Sequence, residues 1–440
     1  MIAERSAMDK NQLQAGIARR IITPPKGIYQ IGYGDRTRGN VGVHDDLYAT
    51  ALVLDDGKTR LAIVALDMLA INEFVVDRVR TCLAPTEVLL CCSHTHSGPI
   101  AYADKKSTHK DREYIDLLVE RIAEAVRTAQ NGLLPAHLEY SSGEANVGIN
   151  RREKMPDGRM EIGRNPSGAR DESIQVIGIF TDKRIATIVN YACHGTVLGP
   201  DNLLVSADWI GAMREKVEEE LGGLALFLQG AAANINPDMY WEDPHAFEKV
   251  AEQGLSVAEA ILAAARAGAE KARATPLKVQ RTEAWLPTET RVTTAHPPKS
   301  YARPLLTMAH LPAFMAVFAD ILLNQRYPWK SVIEAREGFW SVPMRINVVQ
   351  IGDLALVTFA AETFTEIGLK VKAASPAAHT LFASVSDGCI SYLHTEESHP
   401  EGGYEVDVAP LAYRYPGRLQ AKCETIALEM TKALLERIRS

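Results

Sequence analysis

His94 and His96 stand two apart at the end of the apolar run "EVLLCCSHTHSGP", Glu87 to Pro99. Strand side chains alternate between faces, so this spacing predicts two imidazoles aimed from one strand end into one space. Such a pair can hold a metal ion or move a proton. With 12 histidines in 440 residues, an H-x-H pair carries little weight alone. Company comes from other strand ends: Asp67 follows "RLAIVAL", His194 follows "RIATIVNYAC" and Glu362 follows "LALVTFAA". Polar side chains repeatedly placed where apolar strands emerge predict one convergent site at one edge of a sheet. Three further stretches belong with them. "VGINRREK" places Asn150 and Arg151 after a strand, and "FLQGAAANINPD" runs a strand into a small-residue turn that a substrate could approach closely. "GCISYLHTEESHPEGGYEV" sets Tyr392 and Tyr404 twelve residues apart around a polar loop.

The elements that must position these residues share one grammar. Three hairpins are predicted, turning at Asp56-Gly57, at Thr181-Asp182-Lys183 and at Gly352-Asp353, each flanked by β-branched and apolar residues. Helices are predicted over 111–132, over "SADWIGAMREKVEEELGG" with Ser206 or Asp208 as N-cap and Gly222 as terminator, over "PHAFEKVAEQGLSVAEAILAAARAGAEKA", and over the closing "GRLQAKCETIALEMTKALLERIRS". Strands and helices alternate without a clear linker. The fold class is therefore α/β, a mixed β-sheet with hairpins flanked by helices, in a single domain over 1–440. A helical excursion is expected around 300–340, where "PLLTMAHLPAFMAVFADILL" has almost the length of a membrane span but contains His310, Pro312 and Asp320. No short-period repeat is visible.

Bulk properties exclude several classes. A formal net charge of −7 without a dense Lys/Arg block argues against nucleic acid or an anionic membrane surface as partner. The start, "MIAERSAMDKNQLQAG", has no apolar core of a secretory signal, so a cytoplasmic location and reduced thiols are expected. The six cysteines show no C-x-x-C spacing, and Cys91, Cys92 and Cys193 read as small buried hydrophobes.

Taken in order, "GIARRIITPP" with "IGYG", "SHTHSGP", "INR", "ACHGTVLGPDNLLVSAD", "INPD", "AAET", "SYLHT" and "GGYE" resemble the neutral/alkaline non-lysosomal ceramidases, zinc amidases that cleave N-acyl sphingosine. The likeness runs from about residue 16 to 410 and implies a fold like that family's N-terminal domain. It implies that His94, His194, Glu362 and Tyr392 ligate Zn2+, with His96, Arg151 and Tyr404 around the scissile amide. The residue chemistry agrees. Two imidazoles, a carboxylate and a phenolic oxygen suit zinc and leave a position for an activated water. His96 would then take or relay the water proton, and Arg151 with Tyr404 would stabilise the oxyanion. Asp67 reads as a partner of a ligand or a hairpin end, and His44 in "GVHDDLYA" as a residue bordering the site or facing solvent.

Two departures shape the expected substrate. Gly230 and Asn234 stand where the resemblance implies a Ser and an Asp, so no serine nucleophile is expected there and the space beside the metal should be wider. The family's C-terminal immunoglobulin-like domain is expected to be absent. The expected function is zinc-dependent hydrolysis of an amide, with a small-molecule N-acyl substrate and no membrane partner. The competing readings are an esterase, a TIM-barrel amidohydrolase that shares the H-x-H pair, and a metal-containing binding protein without turnover.

Overall fold

The computed structural model describes residues 12–34, 36, 38–101, 109–238, 246–297 and 332–439. The expected excursion around 300–340 lies mostly outside them. Its described end holds a short strand, Glu334–Arg336, and no helix.

All three hairpins form, and each belongs to a larger unit that recurs three times. In the first, β1 (Gln14–Ile21), β2 (Tyr48–Asp55) and β3 (Arg60–Leu66) run antiparallel; helix α1 (Glu73–Leu83) then returns the chain so that β4 (Glu87–Cys92) lies parallel to β3. Helix α2 (His109–Asn131) leads to the second unit, which begins with β5 (His137–Glu144). A ribbon of β6 (Gly148–Lys154) and β7 (Met160–Asn165) interrupts it. The unit resumes with β8 (Ser173–Phe180), β9 (Arg184–Tyr191), α3 (Trp209–Leu221) and β10 (Leu224–Gln229), parallel to β9. A short strand β11 (Ile235–Pro237) pairs with β6, and helix α4 (Ala246–Ala267) follows. The third unit is β12 (Leu277–Arg291), β13 (Phe339–Ile351), β14 (Leu354–Phe359), α5 (Thr365–Ala374) and β15 (His379–Ala383), parallel to β14. Helix α6 (Cys423–Arg439) closes the chain.

Strand alternation decides how the units assemble. In β2, β3 and β4, Leu52, Leu54, Leu61, Ile63, Leu89 and Cys91 face inward to one shared core. Their neighbours Val53, Ala62, Val64, Val88 and Leu90 face the covering helices. The same core receives Ile177, Ile188 and Leu226 from the second unit and Val349, Leu356 and Leu381 from the third. Three mixed sheets thus face one another around a common interior, with hairpins in each and helices outside, which is the α/β class expected. Among the described residues no set of eight parallel strands exists, so the TIM-barrel reading fails.

At one end the parallel strand pairs of the three units are joined through the backbone. Thr95 bridges Gly195, and His96 N donates to Gly195 O at 3.0 Å, tying the first unit to the second. Cys92 N donates to Val385 O and Asp387 N to Leu90 O, tying first to third, while Ser384 N donates to Gln229 O, tying third to second. The segments that leave these strand ends meet there, including those carrying His94, His194 and Glu362.

Candidate active site

His94 and His96 do not lie on a strand. β4 stops at Cys92, and His94 sits in the left-handed region with φ 61°, a conformation rare outside glycine. The turn nevertheless brings both rings together, 5.0 Å apart and nearly perpendicular, and His194 joins at 4.9 Å from His94 and 5.5 Å from His96. The three form the cluster of potential metal-ligating side chains found among the described residues, all buried.

Tautomers follow from the backbone. His94 Nδ1 donates to Leu69 O at 2.7 Å, and His194 Nδ1 donates to Ala232 O at 2.6 Å; a carbonyl only accepts, so the proton is on Nδ1 in both rings. Each Nε2 is therefore a bare lone pair. Both point at Glu362 Oε2, at 3.2 Å from His94 and 3.4 Å from His194, and none of these three atoms has a hydrogen-bond donor. Three buried acceptors so close repel one another unless a cation or a proton sits among them. Ligand atoms on a tetrahedral zinc, with bonds of about 2.0–2.1 Å, lie about 3.3 Å apart, so the set fits a divalent ion.

Tyr392 is placed beside Glu362 by a short parallel pairing in which the two residues are direct partners, with Glu362 N donating to Ser391 O at 2.9 Å. Burial, and then the Glu362 carboxylate, push its hydroxyl far above the ordinary tyrosine range. Tyr404 packs edge-on against it at 5.6 Å and is pushed up to about 12 by burial. The Arg151 guanidinium lies 5.5 Å from the Tyr392 ring centre and 5.8 Å from that of Tyr404. Burial would favour its neutral form, but Tyr392, Glu405 and Glu362 reverse that and keep it charged. Arg151 lies within β6 rather than after a strand.

His96 has neither ring nitrogen hydrogen-bonded. Burial, and then the neighbouring His94 and His194, hold it well below the ordinary histidine range, so the ring is neutral. Gly32 of "IGYG" makes room for it, since a Cβ there would come within 2.8 Å of the His96 ring. Tyr33 stacks edge-on against the ring at 4.9 Å, and Arg36 donates to His96 O.

Other expectations separate here. Asp67 is no ligand: Arg214 Nη1 donates to both its oxygens at 2.8 and 2.7 Å, and Tyr48 N donates at 2.9 Å. His44 pairs with Asp45 and stacks on Phe247 at 4.0 Å, and is not a member of the histidine cluster. Gly230 does not widen the site. A Cβ there would meet Tyr191 C at 2.9 Å and Ala192 Cα at 3.0 Å, so glycine is required by the close approach of two chain segments. Asn234 caps α5, accepting from Thr365 N and donating to Glu366, each at 2.9 Å. Two residues without an expected role join the site. Asn236 Oδ1 accepts from Arg151 Nη1 at 3.2 Å, and Glu405 Oε1 accepts from Arg151 Nε at 2.9 Å.

The chain is similar to known proteins over both its sequence and its fold. It is 25% identical to a neutral ceramidase of Oryza sativa subsp. japonica over 239 residues, 49% of this chain and 30% of that protein. To a neutral ceramidase of Pseudomonas aeruginosa it is 24% identical over 230 residues, 48% of this chain and 34% of that one. The matched region is thus about a third of the length of these curated relatives. The crystal structure of the Pseudomonas aeruginosa enzyme superposes with a TM-score of 0.71 at 21% identity, over 98% of this chain and 75% of that one. A ceramidase complexed with C2 gives 0.72 at 20%, over 97% and 75%. The neutral/alkaline non-lysosomal ceramidase N-terminal family itself matches residues 14–234, which include His94, His96, Arg151 and His194. This chain therefore belongs to the neutral/alkaline non-lysosomal ceramidase family.

Proposed function

We propose that this chain is a zinc-dependent hydrolase that cleaves the amide bond of an N-acyl amine. The observation that carries the reading is the convergence of His94 Nε2, His194 Nε2 and Glu362 Oε2, 3.2 and 3.4 Å apart and without donors. His94, His194 and Glu362 would hold the ion, and Tyr392, paired with Glu362, would complete the set. When bound, zinc supplies Lewis acidity, polarising a carbonyl and making a water acidic enough to attack near neutral pH.

The chain's own residues do the rest. His96 is neutral and unpartnered beside the cluster, so it accepts the proton of the attacking water and passes it to the leaving amine. Arg151, charged, and Tyr404, protonated up to about 12, donate to the oxygen that becomes negative in the tetrahedral intermediate. Their enclosure strengthens those contacts by removing competing water.

The test is a series of N-acyl aminocoumarins from acetyl to palmitoyl, assayed before chelation, after it, and after zinc is restored. Amide cleavage that disappears on chelation and returns with zinc is expected. No cleavage across the series, or cleavage indifferent to chelation, overturns the reading. The same series reads acyl specificity, because each methylene buried in an apolar channel contributes about 0.8 kcal/mol and kcat/KM would climb with every carbon.

A further inference from the structure

Arg151 and Arg152 are adjacent on β6, and strand alternation would send their side chains to opposite faces. Both nevertheless reach one carboxylate. Arg151 Nε donates to Glu405 Oε1 and Arg152 Nη1 donates to Glu405 Oε2, each at 2.9 Å, with Glu405 only 2% exposed. Two backbone irregularities make this possible. The β6–β7 register shifts between Asn150 and Arg152, a bulge that re-aims the side chains around it. Tyr404–Val408 winds as a single π turn, a form that concentrates at functional sites, and it carries Tyr404 and Glu405 side by side.

The result is an arginine held on two edges and open on a third. Glu405 takes Nε and Asn236 takes Nη1, while Nη2 is buried without any hydrogen-bond partner. We propose that Glu405 is the positioning residue that orients the open Nη2 edge of Arg151 toward the reacting carbonyl, with Arg152 anchoring its other oxygen. Arg152 Nη2 is itself fixed by Gly402 O at 2.9 Å and Glu401 at 3.1 Å, so the anchor does not swing. Glu405 touches no reacting atom; it acts through Arg151. The inference rests on the reading above that Arg151 meets the substrate.

The experiment compares zinc-loaded wild type, Glu405→Gln, Glu405→Asp, Arg151→Lys and the double variant Arg151→Lys/Glu405→Gln on an N-acyl aminocoumarin. Bound zinc is measured in each, and a crystal structure of Glu405→Gln is determined. Glu405→Gln should lower kcat about 10- to 100-fold, the scale of losing a group that orients another, while KM moves little and zinc stays. Glu405→Asp should recover part of the loss. In the Arg151→Lys background Glu405→Gln should add no further loss, because both changes remove one interaction; a merely structural role would add its effect in full. The crystal structure should show Arg151 Nη2 turned from its wild-type direction. Wild-type kcat in Glu405→Gln beside a large loss in Arg151→Lys, additive losses, or an unmoved Arg151 each overturn the positioning role. Full activity in Arg151→Lys would instead sink the role given to Arg151 itself, and the Glu405→Gln crystal structure still decides whether Glu405 orients it.

Discussion

At the scale of single residues, the account depends on side chains whose types suit their tasks and whose partners leave the working atoms free. His96 is the sharpest case, a neutral ring with both nitrogens unpartnered beside the acceptor cluster. His96→Ala should retain zinc and lower kcat by about 10² to 10⁴, the scale of losing a general acid or base. Metal content and kcat on the same preparation check this, and loss of zinc would make His96 a ligand instead. The residue types at these positions were legible in the sequence, because histidines, a glutamate and tyrosines at the ends of apolar runs are chemically suggestive wherever they land. Asn236 and Glu405 were not. Both lie inside quoted motifs, "INPD" and "GGYE", but their roles exist only through contacts with Arg151 made across the fold. Gly230 misled for the complementary reason: a missing side chain says nothing about which neighbour fills the space, and here backbone does.

At the scale of elements, turn chemistry and period-two alternation made the hairpins readable, since a register slip would expose a whole apolar face. Helix α3 was equally readable from Asp208 and Gly222, but Asp208 does more than cap. It accepts from Trp209 N at 2.8 Å, Leu198 N at 2.9 Å and Val197 N at 3.2 Å, so it fixes both the helix start and the loop that follows His194. Asp208→Ala should lower the unfolding free energy by about 2–4 kcal/mol, combining a lost cap with stranded N–H groups. Its carboxyl is raised from 3.8 to about 6; burial dominates, against the three N–H bonds that pull it down. The sign follows from linkage. The folded protein holds this proton more tightly than the unfolded chain, so the group's contribution is full below about 4 and is lost as pH rises through about 6. The span corresponds to about 3 kcal/mol. The difference in denaturant midpoint between wild type and Asp208→Ala should widen as pH falls from about 6 to about 4. What hid the H-x-H geometry was local: a left-handed φ at His94 is a tertiary requirement, invisible to an alternation rule.

At the scale of the whole molecule, three copies of one strand–helix arrangement surround a common core and place the site on their seam. The repeat is topological, with different side chains in each copy, and so no sequence period announces it. The ligand candidates come from all three units: His94 follows β4, His194 follows β9, and Glu362 and Tyr392 follow β14 and β15. The seam is therefore where the proposed ligands meet. Asp387 pins it, accepting from Arg80 Nη2 at 2.6 Å, Leu90 N at 3.0 Å and Asn347 Nδ2 at 3.0 Å, with its carboxylate fully buried. Asp387→Ala leaves those donors stranded and should lower the unfolding free energy by roughly 3–5 kcal/mol, weakening metal retention with it. Denaturation and zinc titration of the same variant check both effects. The most direct measurement is elemental analysis of wild type, His94→Ala and His194→Ala, each paired with amide hydrolysis. The account predicts one zinc per chain in wild type, with metal and activity lost together in both variants. Full zinc occupancy in both variants would contradict it.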